Sequence, residues 1–114
     1  MELTREDHGQ RVAILRLDGR LMGDPEAPLL IATVRKAIED GRPFILMDLA
    51  KVPWMTSGGI GILTRIHATL KREQGVLVLL SPSDRVRRVL TVTGLIALFD
   101  SYTDERDALA SFAD

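Results

Sequence analysis

Two short runs, Phe44 to Leu49 and Val76 to Leu80, are almost continuously apolar, and the segments around them repeat their apolar residues with a helical period. A strand that is apolar on both faces needs cover on both faces, and a parallel sheet flanked by helices supplies it. Before the first run, Leu30, Val34, Ala37 and Ile38 form a helical stripe, with Arg35, Lys36, Glu39 and Asp40 facing out. Between the runs, Ile60, Leu63, Ile66, His67 and Leu70 form a second stripe, on a helix from Ser57 to near Gly75. After them, Val86, Val89, Leu90 and Val92 mark the inner side of a third helix, capped by Ser83-Asp84-Arg85 and closed at Gly94.

The flanks complete the pattern. Arg11 to Leu17 has strand character, and Glu2 to Glu6 can pair with it as a hairpin through Asp7-His8-Gly9-Gln10. Asp18-Gly19 is a turn signal. Asp24 reads first as the N-cap of the first helix, with Pro25 at its opening position, and Gly41 ends that helix. Ala97 to Tyr102 adds a last short strand and Asp104 to Phe112 a last helix. The predicted order is β-β-α-β-α-β-α-β-α: an α/β fold with a mixed, mostly parallel sheet of about five strands and four helices. No linker, repeat or low-complexity segment interrupts it, so residues 1–114 read as a single domain.

Composition bounds what such a domain does. The absence of cysteine excludes disulfides, thiol catalysis and thiolate metal sites. Fifteen basic and 16 acidic residues spread along the chain give a net charge of −1, so no electrostatic case for nucleic acid arises. The charged first residues lack the apolar stretch of a signal peptide, and no apolar run is long enough to span a bilayer. A soluble cytoplasmic protein with no membrane partner is expected. His8 and His67 have no second ligand at metal spacing, so neither a metal nor a cofactor is expected. Asp48 reads as an acceptor for the loop that follows it, and Trp54 as core, although a partly exposed indole would suit an interface. Arg85, Arg87 and Arg88 are the most basic cluster, either a solvated helix face or a rim contact to an acidic partner.

The most informative segment is Thr56-Ser57-Gly58-Gly59-Ile60-Gly61, where a turn opens a helix with three glycines in its first turn. Glycine costs about 1 kcal/mol against alanine inside a helix, so three together suggest that something approaches the backbone closely. A serine at this position lies beside unpaired N–H groups and the positive end of the helix dipole, where a phosphate is tolerated. From the residues alone, Ser57 or Thr56 is a helix cap, a dinucleotide-binding turn, or a phosphate acceptor on a docking surface. The dinucleotide reading lacks its third glycine. An enzyme reading lacks a base–nucleophile pair, a metal set and a complete phosphate loop.

The frame around this junction resembles the STAS domain family, in particular the bacterial anti-sigma factor antagonists. Asp48-Leu49, Val52, Trp54-Met55 and Thr56-Ser57-Gly58-Gly59-Ile60-Gly61 follow that family's strand, apolar pair and Asp-Ser-Ser-Gly-Leu-Gly helix opening. Leu17-Asp18-Gly19-Arg20-Leu21 is similar to its Leu-x-Gly-x-Leu, and Arg85 to Leu90, Gly94-Leu95 and Phe99 to its third-helix segment. The resemblance implies a STAS fold and a phosphorylation-controlled partner switch that is not an enzyme. The unphosphorylated protein would bind an anti-sigma factor that is itself a serine kinase and so free a sigma factor. Phosphorylation of Ser57 would abolish binding, and a serine phosphatase would reset the switch. Thr56 stands where the family places an acid and is an alternative acceptor, while Gly58 replaces its second serine. Met22 holds another usually acidic position, with Asp24 two residues on, and these join Thr56, Ser57, Gly58, Gly59 and Arg85 as the implied partner-binding residues. An alternative within the same fold is a non-phosphorylated subunit of a larger signalling or lipid-transport assembly.

Overall fold

The elements follow in the predicted order: β1 (Glu2–His8), β2 (Val12–Asp18), α1 (Ala27–Glu39), β3 (Phe44–Lys51), α2 (Ser57–Arg72), β4 (Val76–Leu80), α3 (Asp84–Val92), β5 (Asp100–Tyr102) and α4 (Glu105–Ala110). They come from a computed structural model that describes residues 1–112; the final two residues of the predicted domain lie outside the described residues. One five-stranded sheet runs in sequence order from β1 to β5. β1 pairs antiparallel with β2, and every later pairing is parallel.

Alternation along the strands sorts the two faces. Ala13, Leu15 and Leu17 of β2, Ile45, Met47 and Leu49 of β3, and Leu77 and Leu79 of β4 pack under Leu30, Val34, Leu63, Ile66, Leu70, Val86 and Leu90. Helices α1, α2 and α3 therefore cover one face. On the other, Val12, Ile14, Leu46, Val78 and Leu80 pack with Ala108 and the half-buried Leu109 of α4, and with Phe112 just after it. Beyond α4 that face turns polar, and the Arg16 guanidinium bonds Glu6, Asp48 and Glu105 at 2.8–2.9 Å. Among the described residues, no helix is long and apolar enough to cross a membrane. The radius of gyration is 12.7 Å, near the value of about 13 Å that a single body of this length should have.

Four expectations need correction. β1 continues to His8, which pairs with Val12, so the hairpin turn is only Gly9 to Arg11. Ala97 to Tyr102 is not all strand: Ile96–Leu98 forms a 3-10 turn, and β5 is the last three residues. Val92 is not on the inner side of α3 but 80% exposed, because it sits about 200° around the helix from buried Leu90. Asp24 does not cap α1. The chain makes a separate turn first, in which the Gly23 carbonyl accepts from Glu26 and Ala27, and the helix starts at Ala27 with Pro28 in its first turn. Gly41 does end α1 as expected, in left-handed conformation (φ 80°).

Candidate functional site

The junction before α2 is built from two loops held together by backbone bonds. After β2 and β3 separate, Gly19 N–H donates to Lys51 (3.0 Å), Leu21 N–H to Trp54 (3.4 Å) and Thr56 N–H back to Leu21 (3.1 Å). A parallel bridge between Leu21 and Met55 closes the seam. The loop Leu21–Gly23 thus lies against the start of α2.

Thr56 is the N-cap. Its backbone is extended (φ −94°, ψ 177°), and its hydroxyl accepts from the Gly59 N–H at 3.3 Å while donating to the Met22 carbonyl at 2.7 Å. That gives it a structural task and occupies its oxygen. Ser57 is the first helical residue and is exposed, and its hydroxyl makes no hydrogen bond among the described residues. The two hydroxyls that the sequence left interchangeable are therefore distinct.

The glycines also divide. A Cβ at Gly58 would collide with the Met22 carbonyl and lie 3.3 Å from the Cα of Gly23. A Cβ at Gly59 would strike the Leu21 carbonyl. The close approach inferred from the sequence is thus made by the chain's own loop. Gly61 differs: a Cβ there meets nothing, and the residue is exposed on the same helix opening. Gly58 and Gly61, next on the same helix opening, are exposed, and Met22, whose carbonyl faces Gly58, is 44% exposed.

Glu26 was not anticipated. Among the described residues it is the one buried charged side chain (8% exposed), and its Oε1 accepts from the Met22 N–H. It fixes the loop that faces Gly58. An acid three residues after a glycine is all that the sequence shows of it. Asp24 is exposed beside Arg65, Arg35 and Ala27, at the mouth of the α1–α2 groove.

Asp48 behaves as predicted, accepting from the Ala50 N–H at 3.0 Å, but it also takes part in the Arg16 cluster. His67 packs edge-on against Phe99, with centroids 5.6 Å apart. Trp54 is not core. It is half-buried, with the Arg20 and Arg85 guanidiniums 5.7 and 6.0 Å from its ring centroid. The ring forms one wall of a trough of about 410 Å³, completed by Met55, Asp84, Arg85, Arg88 and Val89. Ser57 is not among the lining residues. The junction therefore presents an exposed hydroxyl on open surface beside a trough, rather than a deep polar cleft around a nucleophile.

Comparison with known proteins points one way. The profile of the STAS domain matches residues 5–108. A Bordetella bronchiseptica protein named as a candidate anti-sigma factor antagonist, BtrV, is 25% identical over 113 residues, covering 98% of this chain and 95% of that protein. The structure of an anti-sigma factor antagonist from Mycobacterium paratuberculosis superposes with a TM-score of 0.83 at 27% identity, over 99% of this chain and 94% of the other. SpoIIAA in its unphosphorylated form shares the fold, with a TM-score of 0.80 at 23% identity over 99% of this chain and all of that one.

Proposed function

Because the chain belongs to the STAS domain family, we propose that it is an anti-sigma factor antagonist whose docking to an anti-sigma serine kinase is switched off by phosphorylation of Ser57. In this reading it is substrate and ligand, catalyses nothing, and is reset by a separate phosphatase. The observation that carries it is the state of the Ser57 hydroxyl: exposed, unengaged, and at the first position of a helix.

The physics of the switch follows from that place. Phosphate adds about 1.5 to 2 negative charges and three acceptor oxygens. At a helix N-terminus, unpaired N–H groups and the helix dipole favour the anion, so the fold survives. On a desolvated interface the same charge opposes docking, because burial strips its hydration and acidic partner groups repel it. Thr56 is the poorer acceptor, since its oxygen is already committed to Met22 and Gly59.

Incubation with the kinase partner and ATP, followed by intact mass, should show one added phosphate on the wild type and none on Ser57→Ala. The phosphoprotein should keep its circular dichroism and lose binding. A phosphoprotein with undiminished affinity for the kinase would defeat the switch, and phosphate on the Ser57→Ala chain would move it to another residue.

A further inference from the structure

The net charge of −1 conceals a segregation in space. Helices α1, α2 and α3, which form one layer, carry eight basic and two acidic side chains, a formal +6, while the rest of the chain carries −7. Within the basic layer, the trough at Trp54 stands out.

Arg20 and Arg85 converge on one indole, and Arg88 lies three residues further along α3, on the same face as Arg85. No described carboxylate forms an ion pair with any of the three, although seven ion pairs form elsewhere among the described residues. Asp84 lines the same trough without pairing to them. Like charges held this close repel one another, and a partner carboxylate would relieve the repulsion. The trough is also pre-formed. The Ser83 hydroxyl caps α3 by accepting from Val86 N–H (3.2 Å) and donates to the Pro53 carbonyl (3.4 Å), tying the helix to the loop that carries Trp54. Its floor is apolar, from Met55 and Val89.

We propose that this trough is the docking site for an acidic segment of the protein partner, with an apolar side chain over Trp54 and Met55 and carboxylates on Arg20, Arg85 and Arg88. Guanidiniums suit that role because each presents a planar fork of donors matched to a carboxylate. This deepens the partner-docking reading above, and it gives the switch a mechanism. The trough includes Met55, two residues before Ser57, and a phosphate on Ser57 would carry the same sign of charge as the segment seated there.

Trp54 is the only tryptophan, so its fluorescence reports the trough. The probe is the peptide acetyl-Glu-Glu-Leu-Glu-Glu-amide, titrated into the full chain at low salt. It is set against the peptide with Gln at every Glu, and against an oligothymidylate of matched charge. A saturable change with the Glu peptide is expected, at least about tenfold weaker with the Gln peptide, the oligonucleotide, or the Arg85→Gln/Arg88→Gln double variant. Arg106→Gln, on α4 across the sheet, should bind as the wild type does. Thermal unfolding confirms that the variants are folded. No saturable response, a Gln peptide that binds equally, or a response that survives the double variant overturns the proposal. Tighter binding by the oligonucleotide overturns it in favour of a nucleic-acid surface. The titration needs neither kinase nor ATP, so a Ser57 that takes no phosphate would defeat the switch and leave this result standing.

Discussion

At the junction, neighbouring residues of similar chemistry are set apart by backbone angle and contact. Thr56 is extended and turns its hydroxyl over the first turn of α2; Ser57 is already helical and exposed. Thr56→Ala should therefore cost about 0.5–2 kcal/mol, the usual range for a lost N-cap, in urea unfolding. Ser57→Ala should stay within about 0.5 kcal/mol of wild type, as surface changes generally do. The glycines invite the same contrast. Gly58→Ala forces a methyl against the Met22 carbonyl and should destabilise by about 1–3 kcal/mol. Gly61→Ala places its methyl in open space and should stabilise by about 0.5–1 kcal/mol, the ordinary gain of alanine over glycine in a helix. If Gly61→Ala also weakens partner binding, the bare backbone there serves the interface rather than the fold.

Among the elements, the terminal ones depend most on charge. α4 has only six residues, too short to hold itself, and Asp104 caps it while Glu105 bonds Arg16. The same Arg16 bonds Glu6 of β1 and holds that carboxyl below its usual range, chiefly through the hydrogen bond. On the other face of the sheet, Lys36 and then Arg5 hold the Asp40 carboxyl low, which ties the hairpin to the end of α1. A carboxyl whose folded pKa is depressed adds stability that is fully present above its unfolded value. That contribution is lost as the pH falls through the folded one. Urea midpoints measured from neutral pH into acid should accordingly fall below the ordinary carboxylate range. The decline should be shallower in Arg16→Gln, where Glu6 has lost its principal partner; an unchanged slope would show that the bond contributes nothing in solution.

For the whole molecule, the layered arrangement puts most of the free positive charge on the three-helix side and the acidic excess elsewhere. Such a field steers an acidic partner toward α2 and α3. Raising the salt from about 0.1 M to 1 M shortens the screening length from about 10 Å to about 3 Å. The association rate with the acidic peptide or the kinase partner should then fall by about tenfold or more in stopped flow, while the far-ultraviolet circular dichroism stays unchanged. A rate indifferent to salt would remove the steering.

What was legible in the sequence was whatever is encoded locally. The runs Phe44–Leu49 and Val76–Leu80, the stripes on α1 and α2, the Ser83 cap and the Gly41 stop depend on residues within a turn or two of one another, and the element order follows from them. The frame from Asp48 to Leu63 also identified the junction. The tertiary structure decided the rest, because the partners are far apart in the chain. Gly58 and Gly59 are needed for the carbonyls of Met22 and Leu21, more than 30 residues away. Thr56 is distinguished from Ser57 by a bond to that same loop. Asp24 is the exception at short range: the turn closed on the Gly23 carbonyl, with Glu26 bonded back to Met22, precedes the helix and leaves Asp24 outside it. The charges looked evenly mixed because sequence order is not spatial order. Only the tertiary approach of the loop after β2, the loop before α2 and the start of α3 brings Arg20 and Arg85 to Trp54.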